Sequence, residues 1–223
     1  MQRPFDIEIA HLKEDLLYMA GAAEASVHNA VRALAERDSA LAEKVRDDDD
    51  GLDGLEMRVD EKAMDLLAMA PLATDLRTVV VAMKISHELE RVGDEAAAIA
   101  KRVLELNHEP QLKEHVDVPR LARLATALLH AAIDAFVYQR PDQARLVVPG
   151  DDEVDQLHKQ LNRDLTHLIE VDRANFRCGL NLILIIKRLE RIADHATNIA
   201  EEVVYLYEAK DIRHGADQEP AAS

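Results

Sequence analysis

The sequence predicts an all-α fold of two tandem, pseudo-symmetric three-helix bundles. Three observations carry that reading. Apolar residues recur every three or four positions along nearly the whole chain; turn formers are scarce, with seven Gly and seven Pro in 223 residues; and a segment of the first half returns in the second about a hundred residues later.

In the first half, Ile9, Leu12, Leu16, Met19, Ala23, Val27, Ala30 and Leu34 form one helical stripe that runs to about Val45. The run Asp47–Asp50 with Gly51 is expected to break it. A second helix follows on Leu52, Leu55, Val59, Ala63 and Leu66, with Asp residues at its positive N-terminal end and Pro71 as its stop. A third begins near Asp75 and carries Ile85, Leu89, Val92, Ala96, Ile99, Val103 and Leu106. Asn107-His108-Glu109-Pro110 and Pro119 mark the boundary between a first unit (1–112) and a second (113–212). The second unit repeats the plan. Its helices lie on Leu121–Ala135, fading at Pro141; on Val154–Leu168 after a Pro149-Gly150 turn; and from about Arg173 to Ala209. Residues 213–223, small and polar, are expected to be a disordered tail.

The repeat can be checked by residue. Glu88-Leu89-Glu90-Arg91-Val92-Gly93-Asp94 aligns with Arg188-Leu189-Glu190-Arg191-Ile192-Ala193-Asp194 at an offset of 100, and Asp49, Leu52, Asp53 and Leu55 align with Asp151, Val154, Asp155 and Leu157 at an offset of 102. A two-residue difference in one helix connection is a change that duplicated bundles tolerate.

Charge and composition narrow the function. With 27 basic residues against 43 acidic ones the formal charge is −16, which disfavours direct nucleic-acid binding and suits hard cations or basic patches on protein partners. One cysteine, Cys178, excludes an internal disulfide and fits a reducing cytosol. The N-terminus shows no signal-peptide pattern, and the apolar run Leu180–Ile186 is too short to span a membrane. The expectation is a cytoplasmic, soluble protein. No Gly-rich phosphate loop is present.

The candidate site rests on four acidic i,i+4 pairs: Asp49/Asp53, Glu90/Asp94, Asp151/Asp155 and Glu190/Asp194. Each sets two carboxylates side by side on one helix face, where they repel unless a cation or an Arg offsets them. At roughly 100° per residue, Glu90, Asp94, Glu190 and Asp194 fall nearly opposite their helices' apolar stripes, and so into a surface groove rather than a dry core. Asp151, Asp155, Glu190 and Asp194 are expected to converge on one cation. The competing reading is a solvated face in which Glu90 and Asp94 pair with Arg91 or Arg102. Glu56/Asp60 has the same spacing, but its counterparts are His158 and Asn162, so it reads as a solvated face; His87, His130 and the other histidines read as ordinary.

Arg188-Leu-Glu-Arg-Ile-Ala-Asp-His-Ala-Thr-Asn-Ile-Ala-Glu201 closely resembles the second signature of the PhoU family, and Glu88–Asp94 resembles the first. The resemblance spans Phe5 to about Tyr207. It implies a cytosolic, often dimeric, non-enzymatic negative regulator of phosphate uptake, acting between the phosphate ABC transporter ATPase and a membrane sensor histidine kinase and touching the membrane only through those partners. It further implies iron or zinc clusters in some members. Carried over, one site is Asp49, Asp53, Glu90 and Asp94 and the other Asp151, Asp155, Glu190 and Asp194. The family's His-x-x-Asn is present as His195 and Asn198, expected near the second site, whereas the first half has Glu95 and Ala98. Two alternatives stand beside it. One is a metal-free helical scaffold with no phosphate role. The other is a di-iron carboxylate enzyme, for which the single Glu-x-x-His match, Glu8/His11, is unpaired.

Overall fold

The computed structural model describes residues 4–69, 73–110 and 116–213; Pro71 and the segment 214–223 lie outside them. Among the described residues there is no strand. The first bundle contains α1 (Pro4–Glu36), α2 (Ser39–Asp47), α3 (Asp50–Ala68) and α4 (Ala73–Asn107). The second contains α5 (Val118–Val137), α6 (Pro141–Val147), α7 (Asp151–Val171) and α8 (Phe176–Glu208), with short 3-10 turns at Val148–Gly150 and Arg173–Asn175. Functionally, α2–α3 and α6–α7 each act as one kinked arm, which leaves three long limbs per bundle.

Two turns fall elsewhere than the sequence suggests. The chain reverses at Arg37, not at Asp47–Gly51: Arg37 has φ 54°, and the Asp38 side chain caps α2 by accepting from Leu41 N at 3.0 Å. The acidic run does end α2, at Asp47, and α3 starts again at Asp50 as the sequence suggests; Asp48 and Asp49 keep right-handed helical dihedrals, so the break bends the arm without reversing it. The apolar period concealed the turn because Ala42 and Val45, beyond it, are buried like the α1 stripe. In the second half Gln139 (φ 57°) is the equivalent reversal, 102 residues after Arg37. The fourth helix, α5, ends at Val137 shortly before Pro141 as expected, and Pro141 then opens α6, as its missing N–H permits at a first helical position. Pro149-Gly150 is a helical continuation into α7 rather than a turn.

The halves pack antiparallel, with α4 against α8 as the most extensive helix pair and α1 against α5 beside it. One continuous apolar cluster joins both bundles, with Leu12, Leu16, Leu89, Ile99, Leu129 and Ile185 fully enclosed. Being central, α4 and α8 each bury a broader face than a single stripe. Local packing differs between the halves in a compensating way. A methyl on Gly93 would overlap Leu52 Cδ1; at the equivalent positions of the second half the pair is Ala193 and the smaller Val154, both buried. Gly93 thereby lets the start of α3, and with it Asp49, approach α4 closely.

Candidate functional site: two acidic clusters and a polar seam

The kinked arms carry the first pair of each acidic tetrad to the flank of the following long helix. In the first cluster, Asp49 lies at the N-terminus of α3 over Gly93, and its carboxyl is pushed up to about 6 by burial first, then by Asp94, Asp53 and Asp50. Burial and Asp94 also push Glu90 up, against the opposing charge of Arg91. Arg91 reaches both Glu90 (3.5 Å) and Asp94 (3.6 Å), while Arg102 turns away to Glu105 at 2.7 Å. In the second cluster, burial and then Asp155 and Glu190 push Asp151 up, and Asp194 is pushed up to about 6 by burial, Glu190 and Asp151. Each tetrad is therefore one electrostatic unit, as the spacing suggests. Glu190 departs from expectation: it is buried, 9% exposed, rather than in an open groove.

The ligand geometry corrects the sequence reading further. Among the described residues, the groups whose ligand atoms come within 4.8 Å of one another are Glu56, His87 and Glu90, not three members of either tetrad. His87 Nδ1 lies 3.1 Å from Glu56 Oε1, and Glu90 Oε2 is buried with no hydrogen-bond donor on it. Glu56 thus neighbours Glu90 of the first cluster and pairs with His87, whose side chain is half exposed. A signal for both was available, because the repeat places His158 at the position of Glu56 and Lys187 at that of His87. Both counterparts do sit at the second cluster. Lys187 Nζ donates to both Glu190 oxygens (2.8 and 2.6 Å), and His158 Nδ1 stands 3.9 Å from Glu190. Lys159 pairs with Asp155 at 2.7 Å.

His195 and Asn198 belong to neither cluster. His195 Nδ1 lies 2.7 Å from Glu88 Oε2 and Asn198 Nδ2 donates to the same oxygen at 3.1 Å, both across the α4–α8 contact. Burial alone would push the Glu88 carboxyl up, but these hydrogen bonds outweigh it and hold it below the usual glutamate range. Seven residues further along α4, Glu95 is buried and accepts from Arg188 at 3.0 Å and pairs with Arg191 at 2.8 Å. Lys84 donates to Glu202 at 2.9 Å at the other end of the seam. The departure of the first half at Glu95 places a carboxylate in this seam, where Arg188 and Arg191 meet it. The Glu-x-x-His pair Glu8/His11 is 3.7 Å apart and about half exposed, so it is not aimed into the core as di-iron chemistry needs.

The raised carboxyls give a signed stability prediction. In chelator, Asp194 ionises within the fold only at a cost, which is fully present above about pH 6 and absent below the ordinary 3.8. Asp194→Asn should therefore stabilise the protein at pH 7.5 by about 1 kcal/mol after allowance for solvent screening, or roughly 2–4 °C in Tm. That gain should shrink to nothing as the pH falls to 4 in thermal melts. A gain unchanged between pH 7.5 and 4 would show that it does not come from this carboxyl's charge.

Comparison with known proteins follows the same duplication. The sequence profile of the PhoU domain matches twice, at residues 16–103 and 118–203. The chain is 38% identical over 217 residues to a phosphate-specific transport system accessory protein PhoU homolog of Pseudomonas aeruginosa, covering 96% of this chain and 89% of that protein. A relative of the same description from Clostridium acetobutylicum is 30% identical over 93% of this chain and 96% of its own length. The crystal structure of PhoU from Pseudomonas aeruginosa superposes with a TM-score of 0.90 at 36% identity, over 92% of this chain and 100% of that one. The phosphate transport system regulatory protein PhoU from Streptococcus pneumoniae gives 0.86 at 28% identity, over 93% and 98%.

Proposed function

This chain belongs to the PhoU family, and from that membership we propose that it restrains phosphate uptake and phosphate-starvation signalling as a cytoplasmic adaptor rather than as an enzyme. The observation that carries the reading is whole-length likeness in both halves to proteins named as accessory and regulatory components of phosphate transport. The partners are the phosphate transporter's ATPase and a sensor histidine kinase. Two features of the chain support that mode of action. No helix among the described residues is long and apolar enough to cross a membrane, so a route to a membrane transporter passes through protein contact. The distinctive residues sit in acidic clusters on the flanks of rigid helices, where basic partner surfaces or cations are attracted. The first cluster, with Glu56 and His87 added to Asp49, Asp53, Glu90 and Asp94, offers oxygen and imidazole donors that suit iron or zinc.

Deleting the gene in the parent bacterium should raise expression of phosphate-starvation genes in phosphate-rich medium, and a plasmid copy should return it to the repressed level. Expression unchanged on deletion, in a strain without a second PhoU-family gene, would sink the assignment.

A further inference from the structure

We infer that the outer face of α7 is a docking surface for an acidic helical segment of a partner protein. The inference rests on the reading of the chain as an adaptor and specifies what one of its two arms holds.

Two adjoining rows of side chains make this face. Lys159, Arg163 and His167 form one row and His158, Asn162 and Thr166 the other, and together they line a groove of about 480 Å³. A basic row runs against the chain's net charge of −16. The repeat supplies the comparison. At the offset of 102, Lys159, Arg163 and His167 stand where α3 has Met57, Glu61 and Asp65. His158, Asn162 and Thr166 stand where it has Glu56, Asp60 and Met64. Exposure is the same at every pair: positions 56, 60, 158 and 162 are half-buried and the other eight are exposed. Helix and burial are thus kept between the halves while the charge is reversed. A face that only met water would need no reversal, because either sign keeps it solvated.

Arg163 is the main recognition group. Among the described residues it has no hydrogen-bond or ion-pair partner, and its planar guanidinium suits a carboxylate in two-pronged contact. Lys159 is 65% exposed and meets Asp155 through one oxygen at 2.7 Å, which leaves it further N–H donors. The Thr166 hydroxyl donates to Asn162 O at 2.7 Å, so it shapes the groove without offering a donor. The layout then selects the ligand. Lys159, Arg163 and His167 lie one turn apart, roughly 6 Å, in a line, and do not converge as a pocket for one small anion must. That ladder matches carboxylates spaced i,i+4 on a second helix. Asp155 precedes the first row and Glu170 closes the second, which makes the positive strip too short for a nucleic-acid backbone. Equivalent arms of opposite sign let one chain hold a basic partner and an acidic one together.

The test is photo-crosslinking in the parent bacterium from benzoylphenylalanine at position 166 of the full-length chain, with adducts mapped by mass spectrometry. The same probe at position 64 is the charge-reversed control. Position 166 should capture a partner through a peptide with carboxylates at i,i+4, and position 64 should not capture that peptide. Arg163→Glu should cut the adduct about tenfold, and changing the mapped partner carboxylate to Arg should restore it. Circular dichroism confirms that each variant folds. An adduct with α3 of a second copy, with nucleic acid or with a peptide lacking such carboxylates would overturn the inference. So would no adduct at position 166, or one that Arg163→Glu leaves undiminished. The regulatory reading fails separately: an acidic adduct obeying this charge exchange, in a bacterium whose phosphate-starvation genes ignore the deletion, keeps the surface and removes the phosphate role.

Discussion

Glu95→Gln should lower stability by about 2–3 kcal/mol, seen as a drop of roughly 5–10 °C in Tm, although it removes one charge and no volume. Glu95 is 2% exposed, and two guanidiniums from α8, Arg188 and Arg191, converge on it. Neutralising it strands both at a seam between bundles. Their side chains are partly exposed, which keeps the cost below that of a fully buried orphaned charge. The seam has a further logic. Position 88 faces 195, and 188 faces 95, which are the same two contacts related by the repeat. The signs are exchanged: acid on α4 meets imidazole on α8 in one, and guanidinium on α8 meets acid on α4 in the other. If a first half packed against its own copy, Glu88 would meet Glu95; a second half against its copy would set Arg188 against His195. The exchange therefore favours pairing of unlike halves and penalises like ones. Glu95→Arg should cost more than Glu95→Gln, and adding Arg188→Glu should recover part of the loss in urea denaturation. If Glu95→Gln lies within about 0.5 kcal/mol of wild type, the seam contributes packing only.

The seam also shows where sequence reading ends. Apolar periodicity places one stripe on each helix, and the stripes of α4 and α8 were legible from Ile85 to Ile99 and from Ile185 to Ile199. Which second face of each helix meets the other bundle is a tertiary matter. Glu190, a polar residue off the stripe, therefore reads as a surface-groove group and Glu95 only as a departure from the family's His, yet both are buried. His195 and Asn198 were assigned to the acidic cluster because they follow Asp194 in the family signature, but on a helix they turn toward α4. The acidic tetrads themselves were legible, because i,i+4 spacing and the repeat are properties of the chain. Glu56 was missed by a filter that demanded matching residues in both halves, and His87 because the histidines show no metal-ligand spacing along the chain. The Arg37 turn was hidden for a different reason: buried positions continue across it in phase, and only the Asp38 cap marks it.

Neutralising part of the first cluster should move stability and function in opposite directions. Asp49 and Glu90 are held above their usual range by burial and by neighbouring carboxylates, so at neutral pH each is ionised against a cost borne by the fold. Arg91, shared between Glu90 and Asp94 at 3.5–3.6 Å, offsets only part of it. Asp49→Asn with Glu90→Gln keeps size and shape while removing two of the repelling charges, and leaves Arg91 to Asp94. The double variant should melt about 2–6 °C higher than wild type at pH 7.5 in chelator. In the deletion strain it should nevertheless leave phosphate-starvation genes near their derepressed level in phosphate-rich medium. A structural role for these carboxylates predicts the reverse in vitro, a lower Tm, because their loss would then remove native contacts. A higher Tm with full repression would show the cluster to be a tolerated strain without a part in regulation. A higher Tm with lost repression is the signature of charge kept for what binds it, since a chain gains nothing in its own fold from holding five carboxylates (Asp49, Asp53, Glu56, Glu90 and Asp94) around one histidine and one arginine.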